Sequence, residues 1–244
     1  MRVWQENAGR QVGLSTAAAG DSARLAEMLE REVLPRVESR YGTVADLDGD
    51  GKLAICLTAR LEQLPAEGSA VEGLTQINDF LTDLPRPFSN QADVMFLSQA
   101  LRPGPHARTI LTHEAAHLAV FSRRHESSAD RLALEDDWLN EGLAHWAETE
   151  CANDWSNLRG RLEAFSRQPS LSPLVVIDAH QQGLWRQPGS RAAAWLFLRW
   201  LADEFGTELI PAAARDPEVG CEKISRLAGV SWPELFRRWS VSTW

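Results

Sequence analysis

Two histidines stand four residues apart, with a glutamate directly after the first, at His113, Glu114 and His117. On an α-helix, side chains four positions apart lie one above the other on the same face, so both imidazoles can reach one tetrahedral ion. Glu114 leaves the helix about a quarter turn away, which favours contact with a water molecule over contact with the metal. This H-E-x-x-H spacing predicts a zinc site with Glu114 as general base.

A catalytic zinc site takes three protein ligands and leaves one position open. Segment 136–146 has apolar residues at helical spacing, and Glu141 lies beside that apolar face, so we expect Glu141 to be the third ligand. His145 follows one turn later and either orients a ligand, binds substrate or is an ordinary histidine on the helix flank. Glu148 and Asp137 are expected to be solvated.

The run 138–142, Trp-Leu-Asn-Glu-Gly, resembles the downstream helix of the gluzincin metallopeptidases, in which a glutamate on a second helix is the third zinc ligand. The 23 residues between His117 and Glu141 form a longer spacer than the zinc aminopeptidases use. A closer similarity, to the hyicolysin-like bacterial peptidases, extends to segments 46–52 and 89–95. It implies a zincin-like fold, hydrolysis of peptide bonds in proteins or peptides, and a secreted or cell-envelope location. A Gly-x-Met-Glu-Asn exopeptidase signature is missing, which favours an endopeptidase.

The same resemblance implies that Glu114 takes a proton from a zinc-activated water, while a further donor stabilises the oxyanion. Many gluzincins supply that donor as a Tyr or His on a later helix, but the only tyrosine here is Tyr41, far upstream. Arg191 and His180 are the downstream candidates, and each is either that donor or an ordinary surface residue. The missing tyrosine keeps open an alternative function, a non-catalytic zinc-binding or scaffold module of the same fold.

A second candidate metal site lies at Asp46, Asp48 and Asp50, which occupy alternate positions before Gly51. Alternating carboxylates followed by a glycine form the first half of a calcium loop. The position of the bidentate glutamate is held by Leu57, so the second half of the motif is missing. The pattern therefore predicts either a weak Ca²⁺ site completed by other residues or a plain turn before a strand.

The composition is that of an ordinary globular protein, with 244 residues and a formal net charge of -9. This acidic balance argues against nucleic acid as a partner, because phosphate binding needs a basic surface. No run is long and apolar enough for a membrane span, and the N-terminus lacks the apolar core of a signal peptide, so a cytoplasmic location is the alternative to export. The sequence does not predict an oligomeric state.

The periodicities predict an α+β fold in which a small N-terminal sheet packs over the zinc helix and the C-terminal part is mainly helical. We expect one metallopeptidase domain over residues 1–244, with an N-terminal lobe over about 1–122 and a helical lobe over about 136–244. Strands are predicted at 52–58, 92–98 and 74–80. Helices are predicted at 21–40 with a kink or an early end at Pro35, and at 107–122, 136–150, 156–166, 190–205 and 232–240.

Overall fold

A computed structural model of the chain describes residues 2–5, 16–64, 71–81, 83–127, 134–175 and 187–243. The described strands all lie before residue 99, and every described element after that point is helical. This distribution confirms the predicted α+β class with a small sheet near the N-terminus.

The sheet has four strands, β1 (Arg2–Gln5), β2 (Ala54–Thr58), β3 (Gly73–Leu74) and β4 (Val94–Ser98). Their order is β1-β2-β4-β3, with β1, β2 and β4 parallel and the short β3 antiparallel to β4. β3 pairs Gly73 with Leu97 and Leu74 with Phe96. It is therefore an edge strand, whose second side has no strand partner among the described residues.

Most of the described α-helices follow β4 in the chain. The α-helices are α1 (Thr16–Met28), α2 (Leu34–Tyr41), α3 (Pro105–Ser127), α4 (Asp137–Glu150), α5 (Ser156–Arg167), α6 (Pro188–Phe205), α7 (Leu209–Arg215), α8 (Gly220–Ala228) and α9 (Trp232–Thr243). Single 3-10 turns cover Ala59–Gln63, Ile77–Phe80 and Pro169–Leu171.

The helix predicted over 21–40 is present as α1, a π-helical turn at Leu29–Val33 and α2. The early end that was one of the two outcomes predicted at Pro35 is wrong, because Pro35 lies in the first turn of α2 and the helix continues to Tyr41. The other five predicted helices and the strands near 52–58 and 92–98 are also confirmed, within a few residues. Strand β1 and helices α7 and α8 were not predicted.

The third predicted strand, at 74–80, is wrong beyond its first residue. Only Gly73–Leu74 pairs with the sheet, and Ile77–Phe80 forms a 3-10 turn. The buried carboxylate of Asp79 explains the turn, because its Oδ1 accepts hydrogen bonds from Asn90 N at 2.7 Å and Asn90 Nδ2 at 2.9 Å. These bonds tie the turn to the loop before β4 and end the strand.

Helix α3 runs through the centre of the molecule, with every residue from 109 to 122 buried. A helix buried on all faces must be covered by neighbours all round. One continuous apolar core, which includes Ile55 and Met95 from the sheet and Leu111 and Leu139 from the helices, surrounds it. Within the described residues, no helix is long and apolar enough to cross a membrane.

A buried charge cluster fixes helix α4 against the end of α3. Glu135, just before α4, accepts hydrogen bonds from Arg124 of α3 and Lys223 of α8, and from Gly220 N at 2.8 Å. Buried charges need such partners, because an unpaired one carries a large desolvation penalty. The cluster therefore sets where α4, which carries Glu141, lies relative to the helix that carries His113 and His117.

Candidate metal centre

His113 and His117 lie one turn apart on α3 and turn their Nε2 atoms toward each other, 3.1 Å apart. Glu141 on α4 completes the cluster, with Oε2 3.5 Å from His113 Nε2 and Oε1 3.9 Å from His117 Nε2. All three side chains are buried, and one donor atom of each lies within 4.8 Å of the others. The three residues named from the sequence thus form a buried group that could hold a metal ion.

The distances among these donors fit a single small ion. Two nitrogen ligands at about 2.0–2.1 Å from a tetrahedral ion lie about 3.3 Å from each other. The observed separation of 3.1 Å between the two Nε2 atoms agrees with that value, and Glu141 needs only a small approach. Two imidazoles and one carboxylate also leave a fourth tetrahedral position open.

The other ring nitrogen of each histidine is held by a hydrogen-bond acceptor. His113 Nδ1 lies 2.7 Å from Glu148 Oε1, and His117 Nδ1 lies 3.1 Å from Asn140 Oδ1. Because both partners accept, each Nδ1 carries a proton, and Nε2 is the ring nitrogen that faces the centre and can bind an ion once it is unprotonated. This is the outer-shell arrangement that orients histidine ligands on metals.

Glu148 binds three donors with one oxygen. Besides His113, its Oε1 accepts from His145 Nδ1 at 2.9 Å and from Asn157 Nδ2 at 2.7 Å. Its side chain is fully buried, so the prediction that Glu148 is solvated is wrong. Helix α4 is buried on nearly all its faces, including the one that carries Glu148.

His145 is also fully buried and contacts Glu148 rather than Glu141. Of the alternatives stated from the sequence, this position fits a residue that orients a candidate ligand, because the Glu148 oxygen that His145 contacts also contacts His113. His113, His145 and Glu148 themselves lie close enough to bind an ion. We interpret them as a hydrogen-bonded group, because the shared Glu148 oxygen is already occupied by three donors. Asp137 is exposed, as predicted.

Glu114 is buried beside this centre, with 5% of its surface exposed. Its Oε2 is a buried atom without a hydrogen-bond partner among the described residues. Burial raises the pKa of Glu114 to about 7, against the opposing influence of the His113 charge and of Thr75. A buried carboxylate whose pKa lies near neutrality is suited to accept a proton.

The charges of the centre favour a cation in it. Burial lowers the pKa of His113, but the Glu141 and Glu148 carboxylates outweigh it and raise that pKa to about 10. Burial and the neighbouring His113 charge lower the pKa of His117 to about 4. For Glu141 the effect of burial is exceeded by Arg191 and the histidines, which hold its pKa well below the usual range. Without a metal the group therefore keeps one proton on His113, where a dication can take its place.

Arg191, in the first turn of α6, places Nη1 3.3 Å from Glu141 Oε2, with 20% of its side chain exposed. It therefore lies at the centre and not on an open surface. His180, the other predicted oxyanion donor, lies outside the described residues. Tyr41 is buried and donates its hydroxyl to Leu143 O at 2.9 Å, which makes it a contact between α2 and α4.

The aspartate loop is a separate group, in which Asp46, Asp48 and Asp50 bring one oxygen each within 4.8 Å of the others. Asp46 and Asp48 are exposed, and their oxygens already accept backbone N–H groups. Asp50 N donates to Asp46 Oδ1 at 3.1 Å and to Asp48 Oδ1 at 3.2 Å, and Gly51 N donates to Asp46 Oδ2 at 2.9 Å. The loop thus forms a turn, and calcium binding stays a prediction.

Sequence reasoning did not identify Asn140 and Asn157 as outer-shell partners, or the burial of Glu148. The sequence does carry a signal for Asn140 and for Glu148. Asn140 directly precedes Glu141. Glu148 follows Glu141 by seven residues, which is two helical turns along the same face. Asn157 lies on a different helix, so its contact with Glu148 has no local signal.

Comparison with known proteins adds no family to this geometry. No family model matches the chain, and no curated protein matches it.

Proposed function

We propose that the protein is a zinc-dependent peptidase of the zincin-like kind, in which His113, His117 and Glu141 hold the ion and Glu114 is the general base. The observation that carries the proposal is the buried Glu114 carboxylate beside the histidine and glutamate cluster, with Oε2 open to a partner. A purely structural metal site does not need this fourth acidic group.

Zinc fits the donor set better than the hard cations do. Imidazole nitrogens suit zinc and other transition metals, whereas magnesium and calcium prefer sites made of oxygen. When bound by three protein ligands, zinc polarises a carbonyl group and lowers the pKa of a bound water. Glu148 and Asn140 contribute by holding the two imidazoles in the tautomer that binding requires.

The neighbouring edge strand supports a peptide as the substrate. Strand β3 lies against α3 so closely that the backbone of Gly73 contacts the Glu114 side chain. An edge strand offers unpaired backbone groups to which an extended peptide can add as a further strand. A peptide bound along this edge would run past Glu114, and neither of its chain ends would need to lie in the site. This supports endopeptidase action.

Within this proposal, Glu114 accepts a proton from the attacking water and returns it to the leaving amine. Arg191 is the donor we assign to the carbonyl oxygen of the substrate, since its guanidinium already lies at Glu141. Arg191 would take the place of the tyrosine or histidine that many gluzincins use as this donor. This role of Arg191 stays a prediction.

One observation favours the second candidate, a non-catalytic zinc module. The three proposed ligands and Glu114 are each only 5–8% exposed, so little of their surface is open to a substrate in this conformation. Peptidase activity therefore requires the site to open when a peptide binds. Many enzymes have loops or domains that open and close over the active site in this way. The scaffold reading requires only a bound ion.

Replacement of the base separates the two functions. Glu114→Gln keeps the size of the side chain and removes the base, so zinc content and melting temperature should stay near wild type. Hydrolysis of a broad peptide library should fall about 100-fold or more, the scale of a lost general base. Glu150→Gln, at the exposed end of α4, is the matched control and should cleave as the wild type does.

Two results would count against the peptidase. A zinc-loaded wild type that cleaves nothing in the library would favour the scaffold module. Full activity in Glu114→Gln would show that the reaction does not use this base. Loss of zinc in Glu114→Gln would instead show that the ligand assignment is wrong.

A further inference from the structure

Gly73 of the edge strand β3 is in unusually close contact with the Glu114 side chain. A Cβ atom built at Gly73 would lie 2.6 Å from Glu114 Oε1, 2.8 Å from its Cγ and 2.9 Å from its Cδ. These separations are shorter than non-bonded carbon and oxygen atoms tolerate. The carboxylate of Glu114 therefore occupies the space that any other residue at position 73 would need.

The backbone of Gly73 does not itself require glycine. Glycine is needed where φ is positive, and Gly73 is not among the glycines with positive φ. Its register in the sheet is ordinary, opposite Leu97 of β4. The close approach of Glu114 is thus the structural reason for a glycine at this position.

Strand β3 is held on both sides of Gly73. Before it, Glu72 O accepts Ser98 N at 2.9 Å, and the Glu72 carboxylate lies 2.6 Å from His106 Nε2 in the first turn of α3. After it, Thr75 is buried and lies against α3, with Oγ1 3.5 Å from Glu114 O. A side chain added at Gly73 would therefore displace the Glu114 carboxylate sooner than the strand.

We propose that Gly73 is a positioning residue for Glu114, and that its missing side chain forms the compartment which holds the carboxylate beside the metal centre. The nearest atoms to a Cβ at Gly73 all belong to the Glu114 side chain, so Gly73 acts on the centre through that residue. Its catalytic consequence rests on the proposed function, whereas the steric coupling of the two residues does not.

A double-mutant cycle of melting temperatures tests the coupling without any assay of activity. Gly73→Ala should lower the melting temperature of the wild type by about 2–6 °C, because the added methyl overpacks a buried site. In a Glu114→Ala background the same change should cost nothing, since the carboxylate that it meets is gone. Gly160→Ala is the control for a methyl that meets nothing within 4 Å, and it should not lower the melting temperature, because alanine is favoured over glycine inside the helix α5.

The same variants report on the base. Gly73→Ala should keep its zinc, because it alters no ligand, and should lose hydrolysis about 100-fold, the cost of moving a reacting group by about 1 Å. In a Glu114→Gln background, Gly73→Ala should cause no further loss. A residue needed only for folding would reduce activity in both backgrounds.

Two results would overturn the proposal. Equal losses of melting temperature in the wild-type and Glu114→Ala backgrounds would show that the added methyl meets something other than Glu114. An unchanged melting temperature together with full activity in Gly73→Ala would show that the compartment has no effect. If the wild type cleaves no peptide but the melting temperatures are coupled, the peptidase proposal fails and the positioning of Glu114 by Gly73 stands.

Discussion

Two regions of this protein carry metal-binding residue types at suggestive spacing, and the structure treats their donor atoms in opposite ways. At His113, His117 and Glu141, the outer ring nitrogens are engaged by neighbours and the inner atoms converge. In the loop of Asp46, Asp48 and Asp50, the carboxylate oxygens of Asp46 and Asp48 already accept backbone N–H groups. A spacing motif therefore identifies residues that could bind a metal. Whether their donor atoms are available to an ion depends on the hydrogen bonds that those side chains make with their neighbours.

Burial reinforces this difference. The proposed zinc ligands are at least nine-tenths buried, so unpaired donor atoms there are costly and an ion in their midst relieves that cost. Asp46 and Asp48 are exposed, and water satisfies whatever the backbone does not.

The largest effect is expected at Glu148. Glu148→Gln removes the charged acceptor of His113 and should weaken zinc binding about 10–100-fold, the usual cost of a lost outer-shell partner. Competition with a zinc chelator measures the change, and Glu150→Gln on the same helix is the control. Equal affinities for the two variants would mean that the outer contact does not prepare the site.

The next effect, about tenfold in zinc affinity per pH unit, is expected from pH. The pKa of His113 is raised to about 10, so near neutrality the metal-free protein carries a proton there that zinc must displace. Since His117, with a pKa of about 4, is already neutral, about one proton should be released per zinc. Affinity should then rise about tenfold per pH unit between pH 6 and 8.

Titration calorimetry in buffers of different ionisation enthalpy counts these protons. The measurement belongs in the Glu114→Gln variant, because Glu114, with its pKa of about 7, titrates in the same range. An affinity that does not change with pH would contradict the proposed charge state of His113.

The smallest effect is expected at the aspartate loop. Because oxygens of Asp46 and Asp48 already accept backbone N–H groups, we expect 10 mM calcium to raise the melting temperature by no more than about 1 °C. A site with a Kd near 1 mM would raise it by about 3–5 °C. A rise of that size, abolished by the Asp48→Ala, Asp50→Ala double variant, would show a calcium site and remove the contrast between the two regions.

The two helices that carry the proposed ligands could be predicted from sequence, because their signals are local. The spacing of His113 and His117 requires a helix, and the apolar periodicity around Glu141 indicates another. The sheet was less accessible, because β3 has only two residues and depends on pairing with β4. No periodicity forms over so short a run.

The surroundings of the site were hidden for a related reason. Glu148 reads as a solvated residue near a helix end, yet α4 is enclosed by other elements and its polar face points inward. The contact between Gly73 and Glu114 joins residues 41 positions apart, and the residue types near position 73 do not predict it. Local patterns identify ligands, while the groups that prepare them follow from tertiary packing.

The most direct test of the central claim is to locate the metal. Crystals grown with equimolar zinc, measured on both sides of the zinc absorption edge, should show one anomalous peak within about 2.0–2.2 Å of His113 Nε2, His117 Nε2 and a Glu141 oxygen. The peak should be lost or greatly weakened in Glu141→Ala. A peak only at the aspartate loop, or one at the histidines that Glu141→Ala leaves at full height, would contradict the ligand set proposed for this protein.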